Sequence, residues 1–354
     1  MLRVLILHED KRGPGEGGGA ESLLRDTMQS LERLGHEVAW WSGQNTIRQE
    51  IARFQPDVCH AMTLHNFVGF EPMLWLQKQR IPHIWSLMDY WPFCGERMLL
   101  TEGDKSCTAV AAVCDGKCTG HRAPEEYLQV VNGSPIVALN RYTAEIYERN
   151  GIGVAGVVPL GVDTDFFRPE REKRDGIKIV TTSAWPQWPT KGMHILKAAL
   201  RKARMGAKLV TGVSRERVRD ELQKASIFIF PSCYQETWGL CLTEAMACGC
   251  ACISSDVAGP RAQIKDGATG LLVPPRDSDA LASAIRWLLD HPTKREDMGR
   301  RARAWAESEA SLEAMGEKWV AMYRRVMDGP RGDEQSRRSP AAHGRRYGGR
   351  GVDR

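Results

Sequence analysis

The sequence predicts an α/β protein built from two open-sheet domains. A length of 354 residues is enough for two such domains. Short apolar runs of strand length recur along the chain, from residues 2–7 to residues 227–230. Between them lie segments with helical spacing, closed by Gly35 or Gly249 or opened by Asp277.

Residues 2–7 read as a buried strand. A glycine-rich loop follows, Gly13-Pro-Gly-Glu-Gly-Gly-Gly-Ala-Glu21, containing Gly18 and Gly19. Leu23, Leu24, Met28, Leu31 and Leu34 then mark an amphipathic helix closed by Gly35, and His36-Glu37-Val38 opens the next strand. Pro56-Asp-Val-Cys-His60 and residues 82–89 read as further strand ends, the second finishing at Asp89. An aspartate at a strand end also suits a helix cap. After Lys191 the spacing gives a helix over 193–205, a strand over 207–211 and a helix over 214–224. Residues 227–230 are a buried strand stopped by Pro231. Leu240, Thr243, Met246 and Ala247 place a helix behind it. Asp277-Ser-Asp279 opens another helix over 281–289, and residues 298–327 are again helical. The tail from Gly329 is rich in Gly, Arg, Ser and Pro and is expected to be disordered.

The stretch from Glu236 to Glu244 offers the most specific chemistry. Glu236 falls on the loop after the 227–230 strand, and Glu244 about one turn into the following helix. The first N–H groups of that helix, near Trp238, Gly239 and Leu240, lack intrahelical partners, so with the helix dipole they favour a phosphate. Gly239 has no Cβ to hold a ligand away from its backbone. Ionised glutamates accept hydrogen bonds from hydroxyl groups, as a sugar or ribose requires. Taken alone, two acids at this spacing also fit a solvated helix face.

This segment resembles the E-x7-E block of the family-4 retaining glycosyltransferases. The resemblance runs over about residues 1–325. It includes the Gly-Gly-Ala-Glu loop, Pro56-Asp-Val-Cys-His60, the 157–169 segment that opens the family's second domain, Thr190-Lys-Gly192 and the turn-rich block 259–274. It implies the GT-B fold: two Rossmann-like domains facing a cleft, with the last helix, residues 312–327, crossing back to the first domain. The domains expected are 1–165 on the acceptor side, 166–308 for the donor and 309–328 for the crossing helix, followed by the tail 329–354. The implied reaction moves a sugar from a nucleoside-diphosphate sugar to a hydroxyl acceptor, a glycan or lipid-linked molecule, with retained anomeric configuration. Glu236 would hold sugar hydroxyls and Glu244 the ribose. Lys191 and the N–H groups near Gly239 would hold the diphosphate, and Gly18 and Gly19 would close the cleft from the other side. Asp89 is a further catalytic candidate. No catalytic metal is implied, and Asp163-Thr-Asp165 reads as structural within the interdomain segment.

The chain departs from the family at several places. Met88 stands where a histidine is usual, and Gln263 where a glutamate is usual. The arginine that normally accompanies Lys191 is missing, leaving Arg215 or Arg217 to supply the charge. Between Lys191 and Ile227 the chain is too short for the usual run of elements, which removes the frame of the nucleotide base. A non-catalytic glycosyltransferase relative that binds a partner, and a GT-B sugar-nucleotide epimerase, are the alternative readings.

Cys94, Cys107, Cys114 and Cys118 lie in an insert over 94–121. Four cysteines can form a tetrahedral zinc site of structural kind; a disulfide pair or plain thiols are the other readings. Cys233, Cys241, Cys248, Cys250 and Cys252 read as small core residues. The N-terminus enters a strand directly and no apolar run reaches membrane-spanning length, so a cytoplasmic protein is expected, with peripheral contact at the inner membrane face left open. The first 160 residues hold 15 Lys/Arg against 19 Asp/Glu, whereas residues 161–328 hold 27 against 22. The donor half is thus the basic one, as suits a diphosphate. Nucleic acid is not expected as a partner; the Arg-Gly tail reads as a solvated end.

Overall fold

A computed structural model of the chain describes residues 1–8, 19–43, 45–63, 69–94, 125–170, 176–183 and 186–329. The first sheet is wholly parallel. Its elements alternate strictly: β1 (Arg3–His8), α1 (Gly19–Arg33), β2 (Glu37–Trp41), α2 (Ile47–Phe54), β3 (Val58–Thr63), α3 (Glu71–Gln79), β4 (His83–Ser86), α4 (Glu125–Asn132), β5 (Ile136–Ala138), α5 (Arg141–Arg149) and β6 (Val154–Val157). Strand order is β2-β1-β3-β4-β5-β6. Residues 4–7 of β1 are fully buried, because helices cover both faces of a parallel sheet and its strands become continuous apolar runs.

The second domain repeats the plan with β7 (Ile179–Thr182), α6 (Met193–Ala203), β8 (Lys208–Val210), α7 (Arg215–Lys224), β9 (Ile227–Phe230), α8 (Leu240–Ala247), β10 (Ala251–Ser255), α9 (Ala258–Gln263), β11 (Gly270–Val273), α10 (Ser278–Asp290) and α11 (Pro292–Glu309). Its parallel sheet runs β11-β10-β9-β7-β8. Only α6, β8 and α7 lie between Lys191 and β9, as the shortened sequence requires. Three of these helices start on side-chain caps: Ser214 accepts from Arg217 N–H, Asp277 from Asp279 and Ala280 N–H, and Ser311, before α12 (Leu312–Met327), from Ala314 N–H. Helix α6 stops two residues short of the expected 205, because Arg204 takes a left-handed conformation, φ 56°, that ends it.

α12 leaves the second domain and packs on α1 of the first. Gly316 lets the two approach: a Cβ there would stand 2.8 Å from Ser30 O. Trp319 and Tyr323 of α12 are fully buried with Val4, Ile6, Leu24 and Leu31. The Tyr323 hydroxyl lies 2.8 Å from Nδ1 of the buried His60, whose Nε2 lies 2.9 Å from Ser86 Oγ. Burial pushes the His60 imidazole down to about 3, so the ring stays neutral and serves as a core hydrogen-bond bridge. No helix among the described residues is long and apolar enough to cross a membrane.

Open α/β sheets bind ligands beyond the carboxyl ends of their strands, where the order reverses. In the second sheet that point lies between β7 and β9, since the chain runs outward from β7 to β8 and then returns to β9. The loop after β7 carries Lys191, and the loop after β9 carries Glu236.

Candidate functional site

A 3₁₀ turn, Pro189–Lys191, presents Lys191, and Gly192 then turns the chain into α6 with φ 68°. A backbone bond ties this turn to the next loop: Cys233 N–H donates to Thr190 O at 2.7 Å, and Ser232 Oγ lies 3.4 Å from the same oxygen. Glu236 is only 8% exposed. Its Oε1 accepts from Lys191 Nζ at 2.7 Å and from Ser232 Oγ at 3.2 Å, and its Oε2 accepts from the Tyr234 hydroxyl at 2.6 Å. Lys191 Nζ also donates to the Tyr234 oxygen at 3.1 Å and lies 4.8 Å from the centre of its ring. Lys191 and Glu236 therefore meet as an ion pair braced by a phenol.

Helix α8 begins beside this cluster. Gly239 precedes it at φ 104°, with no side-chain cap, so its first N–H groups are left for another acceptor. A side chain at Gly239 would meet both strain and the Phe230 ring at 3.1 Å. Trp238 is 3% exposed. It donates to Thr243 Oγ1, which donates to Gln263 Oε1, and Gln263 Nε2 returns a bond to Trp238 O. This closed ring fixes the start of α8 and gives Gln263 a structural task at the position where the family's glutamate is usual.

Glu244 lies one turn into α8 and makes no side-chain hydrogen bond or ion pair among the described residues. It is partly buried, and burial pushes its carboxyl up to about 7 against the pull of Arg215. Arg215 of α7 reaches across to the first domain, where its Nη2 donates to Asp26 Oδ2 at 3.0 Å. Arg25 Nε holds the other oxygen, Asp26 Oδ1, at 3.1 Å. Asp26 is 1% exposed, and burial raises its carboxyl despite both arginines. Arg215 also lies 5.0 Å from each of the Phe166 and Phe167 ring centres. Its Nε and Arg25 Nη2 are buried without a hydrogen-bond partner among the described residues. Arg217 instead turns outward to Glu221. The structure thus separates two arginines that read alike in the sequence.

The Glu236 loop is docked on the first domain. Thr237 Oγ1 donates to Met88 O at 2.6 Å, and Asn140 Nδ2 donates to Thr237 O at 2.6 Å. Asp89 sits at this junction; its Oδ1 accepts from Trp91 N–H at 2.9 Å, so it caps the turn after β4. Asp163 accepts from Asp165 and Phe166 N–H and from Arg33, again a bracing role. Gly19 opens α1, while Gly18 lies outside the described residues. Cys94 is buried, and its proposed companions Cys107, Cys114 and Cys118 also lie outside them. Cys233, Cys248, Cys250 and Cys252 are buried in the second domain, and Cys241 is partly buried there.

The sequence reading missed Tyr234, Ser232, Arg25 and Asp26. Asp26 had a legible signal: it stands three residues after Leu23 and five before Leu31, on the apolar side of α1. Tyr234 had none beyond its nearness to Glu236.

Residues 189–305, which span Lys191, Glu236 and Glu244, match the family described as Glycosyl transferases group 1. Residues 189–305 are thus similar to the group 1 glycosyltransferases. The chain is 32% identical over 118 residues to the alpha-D-kanosaminyltransferase of Streptomyces kanamyceticus, covering 33% of this chain and 30% of the relative. The chain is 31% identical over 180 residues to the alpha-maltose-1-phosphate synthase of Mycolicibacterium smegmatis, covering 48% and 45%. These matches span less than half the length of either relative. Among solved structures, the sucrose-phosphate synthase of Thermosynechococcus elongatus superposes with TM-score 0.69 at 16% identity, covering 93% of this chain and all of that one. The Anabaena HepE protein in complex with UDP and glucose gives TM-score 0.65 at 15% identity, covering 92% and 100%. The two domains together have the GT-B fold.

Proposed function

We propose that this chain transfers a sugar from a nucleoside-diphosphate sugar to the hydroxyl of a glycan or lipid-linked acceptor, with retained anomeric configuration. The supporting observation is the Lys191–Glu236 pair, set at the strand-order reversal of the second sheet beside the uncapped start of α8. Lys191 and the α8 N–H groups face the diphosphate and stabilise the charge that grows as it leaves. Glu236 accepts bonds from sugar hydroxyls, and Glu244 from the ribose. Arg215 supplies the second cation in place of the arginine missing from the loop after β7. The leaving diphosphate takes the acceptor proton on the same face, so the protein contributes orientation and charge rather than a covalent nucleophile. The reaction then needs no catalytic metal. Because HepE is described with UDP and UDP-glucose, UDP-sugars are the first donors to try.

The test is a panel of UDP-, GDP- and ADP-sugars scored by thermal stabilisation and donor hydrolysis. At least one donor is expected to stabilise the wild type. Glu236→Gln and Lys191→Ala are each expected to lower turnover by about 10²–10³-fold, the size of a lost transition-state contact. A wild type that no donor stabilises, with hydrolysis unchanged in both variants, would sink the proposal.

A further inference from the structure

We infer that Tyr234 is a positioning residue that holds Lys191 and Glu236 so that each keeps one bonding direction for the donor. The inference rests on the function proposed above. An ammonium has three N–H donors and a carboxylate about four lone-pair sites. Lys191 uses two donors, on Glu236 and on the Tyr234 oxygen. Glu236 uses three sites, for Lys191, Ser232 and Tyr234. One N–H is left for an anionic phosphate oxygen and one lone pair for a sugar hydroxyl.

Tyr234 makes this division possible because its hydroxyl both accepts and donates. It receives from Lys191 and gives to Glu236, closing a three-membered ring of polar groups. With the phenol absent, Lys191 has only Glu236 to satisfy it, and the pair can close on itself in two-oxygen contact. The ring beneath the ammonium, at 4.8 Å, adds a second hold on the cation. Burial and the adjacent Glu236 push the Tyr234 ionisation well above the ordinary phenol range, so the group stays a donor at every working pH.

The test measures the calorimetric Kd of UDP-glucose, or of GDP- or ADP-glucose if that is the sugar that stabilises the wild type. Five proteins are compared: wild type, Tyr234→Phe, Tyr234→Leu, Glu236→Gln and the double variant of Tyr234→Phe with Glu236→Gln. Tyr234→Phe keeps the ring and is expected to fold with a nearly unchanged Tm. Its donor Kd should rise about tenfold, as for one lost charge-assisted hydrogen bond. In the Glu236→Gln background the same change should alter Kd by less than about twofold, because Tyr234 acts through the carboxylate. Tyr234→Leu, which also removes the ring, should weaken binding beyond Tyr234→Phe. An unchanged Kd in Tyr234→Phe, or an equal loss in both backgrounds, overturns the inference. Unchanged donor binding and turnover in Glu236→Gln and Lys191→Ala would instead overturn the functional proposal.

Discussion

Glu244, the proposed ribose ligand, bears on the stability of the protein that carries it. A partly buried carboxyl, with no ion pair among the described residues, is lifted by burial from 4.5 to about 7. Between those values the native state holds a proton that the unfolded chain has released, so stability falls as pH rises through that window. The loss is complete above about pH 7. Glu244→Gln removes the ionisation. Without donor, its Tm should match the wild type near pH 4.5 and exceed it by about 2–4 °C at pH 8. Parallel Tm curves from pH 4.5 to 8 would show that Glu244 is not held in this state. The place of Glu244 was legible, because it sits at a fixed distance from Glu236 beside a helix start. Its ionisation was not. That depends first on burial and then on Arg215 and Asp26, which are 189 positions apart in the chain and meet only when the domains pack.

At the scale of elements, the second domain was read closely because its signals are local. β9 is bounded by its apolar run and Pro231, and α7 by its Ser214 cap. The bonds that place the loops are long-range and left no periodic trace; Thr237 to the Met88 carbonyl is one. The tightest such contact is at Gly192, between the Lys191 turn and α6. Its φ of 68° is a left-handed conformation, and a Cβ there would fall 1.8 Å from Pro231 O. Gly192→Ala must therefore strain the turn and push the β7 and β9 loops apart. The expected cost is about 2–4 kcal/mol by chemical unfolding, with donor binding lost as Lys191 leaves Glu236. Gly206→Ala, in open space after α6, is the control and should stay within about 0.5 kcal/mol. Equal stabilities for the two variants would remove the turn from the account.

The whole molecule is two sheets joined by α12 and by a cluster of charges at the cleft. Asp26, Arg25 and Arg215 form a row carrying a net positive charge, with buried N–H groups to spare. Such a row can serve stability, by locking the domains, or binding, by presenting charge to the donor. Buried ion pairs are weak stabilisers against apolar replacements but costly to break from one side. Arg215→Met leaves the Asp26 carboxylate with Arg25 alone and should cost about 2–3 kcal/mol. Asp26→Leu leaves Arg215 facing Phe166 and Phe167 and should cost a similar amount. The double variant removes both charges and should be more stable than either single one, with a coupling of at least about 1.5 kcal/mol in the cycle. Donor affinity should not follow. If Arg215 supplies the charge missing from the β7 loop, the double variant regains stability while its donor Kd stays as weak as that of Arg215→Met. Recovery of both properties together would make the row a lock between domains and leave Lys191 and the start of α8 to hold the diphosphate.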